Sequence, residues 1–387
     1  MKRVVMLILL LIIVGVFATF AIADEVTIIK NPKPTCVEKE YRQLVKVREL
    51  KELEDSEDFL VEPRSLVVDE RGHIFAWDAA QAKIFQYDPD LNLVRTFCRR
   101  GQGPGEIGGN GPRFVRLFLR GREIYLPDEI NRKIICFDTN GDLIKETPMK
   151  RRGLQIRSLA VDSQDQVYLF SDNNPGNPHC IDCLDADGGF MRGYLDRSEL
   201  KVGLYTKFES KVLATKFPRG LKSKISKGIV NLSWYDMVSE SHLLFSVIPN
   251  DQLLVYLPAS GQFRAFGRGK LKVSVRLWPE KALRDYRKKA IKLSELQGAF
   301  APFFLGLIPD YDNPEYFFLN YGNFQNGEKN YLYKFNLSGE LTGVFYMSNP
   351  KRSFVQVNCK RAHQFYAIDR NQFGNLTIKI YMEENHE

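Results

Sequence analysis

A repeated pattern of short strands and tight turns does most to restrict what this chain can fold into. Residues 65–78 read as a strand, a turn at Glu70, Arg71 and Gly72, and a second strand; Lys83 to Asp88 is a third, and after a turn at residues 89–92 a fourth runs from Leu93 to Phe97. Four short antiparallel strands make one blade of a β-propeller. The pattern returns at residues 114–145 and 158–188, and in weaker form at 243–266, 316–346 and 364–382. An aromatic residue expected in each second strand marks the period: Phe75, Tyr125, Tyr168, Phe245, Phe317 and Tyr366. Their spacings of 50, 43, 77, 72 and 49 residues place long insertions around the fourth copy.

The expected fold class is therefore all-β, a six-bladed β-propeller of four-stranded antiparallel blades. A length of 387 residues is compatible with one such closed unit. The first and last blades must be tied together or leave open strand edges. The strand-like residues 41–47 supply a candidate closing strand beside residues 376–381. Residues 41–387 are then the propeller, and 24–40 a linker.

The N-terminus carries an address. Lys2 and Arg3 precede an apolar run ending in Ala21-Ile22-Ala23, which reads as a signal peptide over residues 1–23, cleaved before Asp24. The run is long enough to span a bilayer, so an uncleaved anchor is the alternative. The expected location is extracytoplasmic, periplasmic or secreted, or, in the alternative, anchored by the uncleaved N-terminal segment, and an exported protein argues against nucleic acid as a partner. Six cysteines, Cys36, Cys98, Cys136, Cys180, Cys183 and Cys359, have no spacing that selects a disulfide connectivity. Cys180 and Cys183 form a CxxC without the second pair that a tetrahedral metal site requires.

The formal charge of +8 is concentrated. Residues 201–227 hold eight Lys and Arg against the single acid Glu209, and residues 264–292 hold eleven against Glu280 and Asp285, so the remainder is acidic. Within the second stretch, residues 279–293 carry Leu283, Tyr286, Ala290 and Leu293 on one face and basic residues on the rest, predicting a short helical insertion between blades 4 and 5. Basic residues also recur where one blade is expected to lead to the next: Arg99, Arg100, Arg151, Arg152, Arg268, Lys270, Lys351 and Arg352. Such connections gather on one face of a propeller, and converging arginines suit an anionic ligand. Arg99, Arg100, Arg151, Arg152 and Arg352 are the candidate ligand-binding residues, for an anionic glycan or a protein partner.

The signature formed by Val68, Asp69, Gly72, Ile74, Phe75 and Asp78, followed by Lys83, Ile84, Tyr87 and Asp88, with Arg99-Arg100-Gly101-Gln102-Gly103-Pro104-Gly105-Glu106 between the first two blades, resembles the exported six-bladed propeller proteins of bacteria related to NHL-repeat propellers. The resemblance implies the fold and little about activity.

Catalytic signals are weak. Residues 103–108 match GxGxxG, but Gly109, Gly111 and Pro112 forbid the helix a dinucleotide site needs, so the segment is read as a turn between blades. Asp78, Asp128, Asp369 and Asn320 end second strands and offer, as an alternative, oxygen ligands for Ca2+ in a metal-assisted hydrolase or lyase of the gluconolactonase-like propeller type. Asp and Asn also favour strand ends because they bond turn amides. Five histidines and no Gly-x-Ser-x-Gly or His-Glu-x-x-His leave no catalytic constellation. A binding or scaffold module is the preferred class; metal, cofactor and catalytic residues are not expected.

Overall fold

The computed structural model describes residues 27–29, 31, 41–50, 59–109, 116–150, 155–172, 178–196, 244–257, 261–278, 304–322, 329–348, 355–370 and 375–384. The signal-peptide residues 1–23, the stretch 201–227 and the expected helix at 279–293 lie outside them. Among the described residues there is no helix, hence none long and apolar enough to cross a membrane.

The strands in chain order are β1 (Thr27–Ile28) and β2 (Arg42–Glu49); β3 (Pro63–Val68), β4 (Ile74–Asp78), β5 (Lys83–Tyr87) and β6 (Leu93–Phe97); β7 (Arg99–Arg100) and β8 (Glu106–Ile107); β9 (Phe118–Arg120), β10 (Glu123–Asp128), β11 (Lys133–Asp138) and β12 (Leu143–Pro148). Then follow β13 (Gln155–Val161), β14 (Val167–Asp172), β15 (His179–Leu184) and β16 (Phe190–Asp196); β17 (Leu244–Val247), β18 (Gln252–Leu257), β19 (Gln262–Gly267) and β20 (Lys270–Arg276). The last are β21 (Phe304–Pro309), β22 (Tyr316–Gly322), β23 (Lys329–Asn336) and β24 (Leu341–Ser348), with β25 (Gln356–Arg361), β26 (Gln364–Arg370) and β27 (Leu376–Glu383).

Strands β3–β6, β9–β12 and β13–β16 each form a four-stranded antiparallel meander, and β17–β20 form another to which β1 adds in parallel. The final strands do not form two separate sheets. They make one eight-stranded sheet in the order β21-β22-β23-β24-β2-β27-β26-β25. Hydrogen bonding thus gives four sheets of single-blade size and one double sheet rather than six independent sheets. The physical reason is β2, which pairs in parallel with β24 and antiparallel with β27. The expected pairing of residues 44–47 with the last strand is present, and the second pairing, to β24, has no counterpart in the sequence reading.

The arrangement is propeller-like. First strands touch in a cycle: β3 meets β9, then β13, β17, β21 and β25 follow in turn, and β25 meets β3 again. The core is divided into clusters between neighbouring sheets, as where Trp77 and Phe75 of β4 pack with Ile124 and Leu126 of β10. Every residue of β4 is buried, because the strand is covered on both faces, whereas β6 and β12 at the outer edge are mostly half-buried or exposed.

One turn recurs. Asp69, Asp138, Asp162 and Asp185 each accept, at one carboxylate oxygen, the amides two and four residues ahead. Gly72, Gly141 and Gly188 supply the left-handed residue that closes three of these turns, at φ of 83°, 88° and 75°. This is the physical content of the Asp-x-x-Gly signature. In the fourth copy Ile248 and Asp251 occupy the Asp and Gly places. The turn is unreadable there, and Phe245, expected in a second strand, lies in the first strand β17. Thr27, Ile28 and Asn31 belong to the segment 24–40 that the sequence presents as a linker; buried Asn31 bonds Leu277 O and Gly339 O, and accepts the Leu341 amide.

Candidate functional site

Alternating strand direction gives the sheets two unlike ends. At one, the turn end, lie the tight connections from first to second and from third to fourth strands. At the other, the connection end, second strands lead to third strands and each sheet leads to the next.

Arg99 and Arg100 sit at the connection end, exposed, in β7. Arg151, Arg152 and Arg352 lie outside the described residues. Arg268 and Lys270 do not belong with them: they flank the hairpin between β19 and β20, at the turn end of one sheet. The second basic stretch therefore begins inside a strand pair and not in an insertion. Phe59, Val61 and Ile130 are exposed apolar residues at the same end as Arg99.

The glycine-rich segment after Arg100 closes on its own carboxylate. Strand β7 runs parallel to β8, and Gly101 N–H donates to Ile107 O at 2.9 Å. Glu106 accepts Gly103 N–H at 2.9 Å through Oε2 and Arg99 Nε at 2.7 Å through Oε1. The Gly103 amide and the Arg99 guanidinium hold the Glu106 carboxyl below its usual range. Gly105 N–H is likewise committed, to Glu146 at 2.9 Å. A Cβ on Gly101 would stand 1.9 Å from Glu106 Oε2, so a side chain there would displace the carboxylate from its loop. Amides that point at internal carboxylates cannot cradle a pyrophosphate, so the GxGxxG match is a loop that satisfies itself.

The strand-end residues are also engaged. Asp78 accepts the amides of Val61, Glu62 and Gln81, and Asp128 those of Gly108, Ile130 and Asn131. Asn320 accepts Val357 N–H of the neighbouring β25, and Asp369 accepts Lys379 Nζ and the Tyr381 hydroxyl. The amide, ammonium and hydroxyl donors on these oxygens would compete with Ca2+, and no three His, Cys, Asp or Glu among the described residues cluster to hold a metal. Cys180 and Cys183 are both buried in β15; burial raises the Cys183 thiol, and no two of the five cysteines among the described residues are joined by a disulfide.

A cleft that the sequence reading does not anticipate opens at the turn end of the double sheet. Its volume is about 280 Å3, and it lies between β21–β24 and the strands β25–β27 with β2. Phe318, Phe345 and Phe365 pack together at its base, with centroids 5.4 to 5.9 Å apart. The Arg42 guanidinium lies 4.1 Å over the Phe345 ring and pairs with Glu383 at 3.0 Å, both half exposed. Lys334 lies over Tyr316 at 4.2 Å, 3.4 Å from Asp310, and Lys360 is buried against Asp310 at 2.7 Å. His363 stands at the lip in a left-handed turn with Ala362, at φ of 61° and 48°. Asp312 of the adjacent strand pair accepts both turn amides, at 3.2 and 3.0 Å. Only the fold joins these residues, which are scattered from 42 to 383; paired φ-positive positions occupied by Ala and His carry no turn signal.

No family model and no curated protein sequence matches the chain. Solved structures do. A member of the DUF4221 family from Bacteroides vulgatus superposes with a TM-score of 0.55 at 12% identity, covering 90% of this chain and all of that one. A candidate exported protein from Bacteroides fragilis superposes with a TM-score of 0.51 at 11% identity, covering 88% of this chain and 97% of its own. At such identities the likeness speaks for the fold alone: this chain is all-β, with propeller-like four-stranded antiparallel sheets.

Proposed function

We propose that the protein is an exported binding module, a six-bladed ring that recognises an anionic glycan at its connection end. Counting the double sheet as two blades that share β2 gives six, and the cycle of first-strand contacts from β3 through β25 and back to β3 supports that count. Export rests on the N-terminal signal and on the likeness to the Bacteroides fragilis protein. The kinship to NHL-repeat propellers rests on the sequence signature.

The observation that carries the binding reading is the contrast between the ends. Turns at one end are short and internally bonded; the other end bears all the long connections, exposed Arg99 and Arg100, and exposed Phe59, Val61 and Ile130. Arg151, Arg152 and Arg352 belong to connections leaving that same end and are proposed to share the site. Arg forks match sulfate and carboxylate oxygens, while each exposed contact contributes about 1 kcal/mol or less, so the site acts collectively. Of the carboxylates that a metal-assisted hydrolase would use, Asp78 and Asp128 are committed to amides and Asp369 to Lys379 and Tyr381, which favours binding over catalysis.

The test is a screen of sulfated and uronic-acid glycans at low and high salt, comparing the wild type with Arg99→Ala/Arg151→Ala/Arg352→Ala. Retention that weakens with salt and is lost in the triple variant supports the proposal. Equal retention by both proteins, or retention of a protein partner alone, overturns the glycan reading.

A further inference from the structure

We propose that the cleft between β21–β24 and β25–β27 is a second binding site, for a small aromatic carboxylate, independent of the connection end. Three features point to this class of ligand. The walls are cationic: Arg42, Lys334 and Lys360 line the cleft against the single lining acid Glu383. Lys360 is buried and committed to Asp310; Lys334, itself partly exposed, shares that buried carboxylate only at 3.4 Å, and Arg42 holds its partner near solvent. The Arg42–Glu383 pair, both side chains more than two-fifths exposed, is of the weak solvent-screened kind, so a ligand carboxylate can take the place of Glu383.

The body of the ligand is set by what surrounds the charge. The Arg42 guanidinium already lies over Phe345, and a planar guanidinium can stack on a second ring from its other side. The Met382 thioether and the Phe365 ring complete an apolar wall, and sulfur favours aromatic contact. The volume of about 280 Å3 suits one ring with a short acidic arm and excludes a polymer.

The third feature is the strained lip. The β25–β26 hairpin turns through Ala362 and His363 with both residues left-handed, where asparagine and glycine are the favoured pair. Asp312, from the neighbouring strand pair, fixes that turn through both amides. The neighbouring strands hold this non-glycine pair in a sparsely populated conformation, and the second of the two places an imidazole at the mouth of the cleft. Lys334 and Arg42 would take the ligand carboxylate while His363 donates or accepts a hydrogen bond from the lip.

Titration calorimetry with phenylacetate tests the proposal, with benzyl alcohol and acetate as probes lacking the charge or the ring. The expected result is saturable one-to-one binding with Kd on the order of 1 mM, as suits about ten non-hydrogen atoms. Lys334→Met should weaken it about tenfold and Glu383→Gln, which removes the internal competitor, should tighten it about threefold. Benzyl alcohol and acetate should each bind at least about tenfold more weakly than phenylacetate. Thermal melting checks that Lys334→Met is folded; should it not be, the tightening by Glu383→Gln decides. No saturable binding of phenylacetate by about 20 mM, or equal affinity in wild type and both variants, overturns the site. Glycan retention at the connection end is unaffected by these variants, so the two proposals fail separately.

Discussion

Leu44 lies directly opposite Glu383 in the antiparallel register of β2 and β27, and Leu44 is buried beneath the double sheet. The first long strand of the chain therefore completes the sheet formed by the last. Because β2 also pairs with β24, its removal exposes two strand edges at once and separates the two halves of the double sheet.

Leu44→Ala should accordingly destabilise the whole domain by about 2–5 kcal/mol, the range for truncating a buried leucine. Deletion of residues 41–50 should lower the melting temperature further, in one transition reported alike by far-UV circular dichroism and by tryptophan fluorescence. An unchanged midpoint would show that β2 contributes nothing to closure.

The Glu106 loop should make stability depend on acid. The Gly103 amide, then the Arg99 guanidinium, hold the Glu106 carboxyl below its ordinary value, so the folded state binds its proton later than the unfolded chain does as pH falls. The contribution of this carboxylate is thus fully present above the unfolded value of about 4.3 and is lost as pH drops through the lower folded value. Glu106→Gln should be less stable than wild type at pH 7, and the difference should shrink below pH of about 4. Melting curves of both proteins across that interval measure it; a difference independent of pH would assign the effect to packing.

How much of this was legible in the sequence depended on chemistry being local. The Asp69 to Gly72 turn is readable because the carboxylate, the amides it binds and the glycine that closes it lie within five residues. Ile248 to Asp251 builds the same backbone turn from residues without that signal, and the strand assignment of Phe245 slipped accordingly. Arg99 was legible as a cation between sheets; that Glu106 binds it depends on the loop folding back, which spacing alone does not disclose. A closing strand in β2 is legible because residues 41–47 are strand-like and a propeller must tie its ends, but its second pairing, the attachment of β1 to β20 and the cleft between Arg42 and His363 all depend on contacts between distant parts of the chain.

The turn at Ala362 and His363 carries the last prediction. Both residues have positive φ, and a left-handed conformation costs an ordinary L-residue roughly 1–2 kcal/mol. Asparagine tolerates the first position and glycine pays no steric penalty at the second, which is why this pair dominates two-residue hairpins of the kind. Neither change removes an amide, so Asp312 keeps both of its turn hydrogen bonds. Ala362→Asn/His363→Gly should therefore raise stability by about 1–2 kcal/mol in urea unfolding at pH 7, while Ala362→Val, β-branched at a positive φ, should lower it. The double variant also loses the imidazole at the lip of the cleft. A protein that is more stable and binds phenylacetate more weakly would link the strain at His363 to recognition; a protein no more stable than wild type would mean that the surrounding strands, and not the residue types, set the energy of this turn.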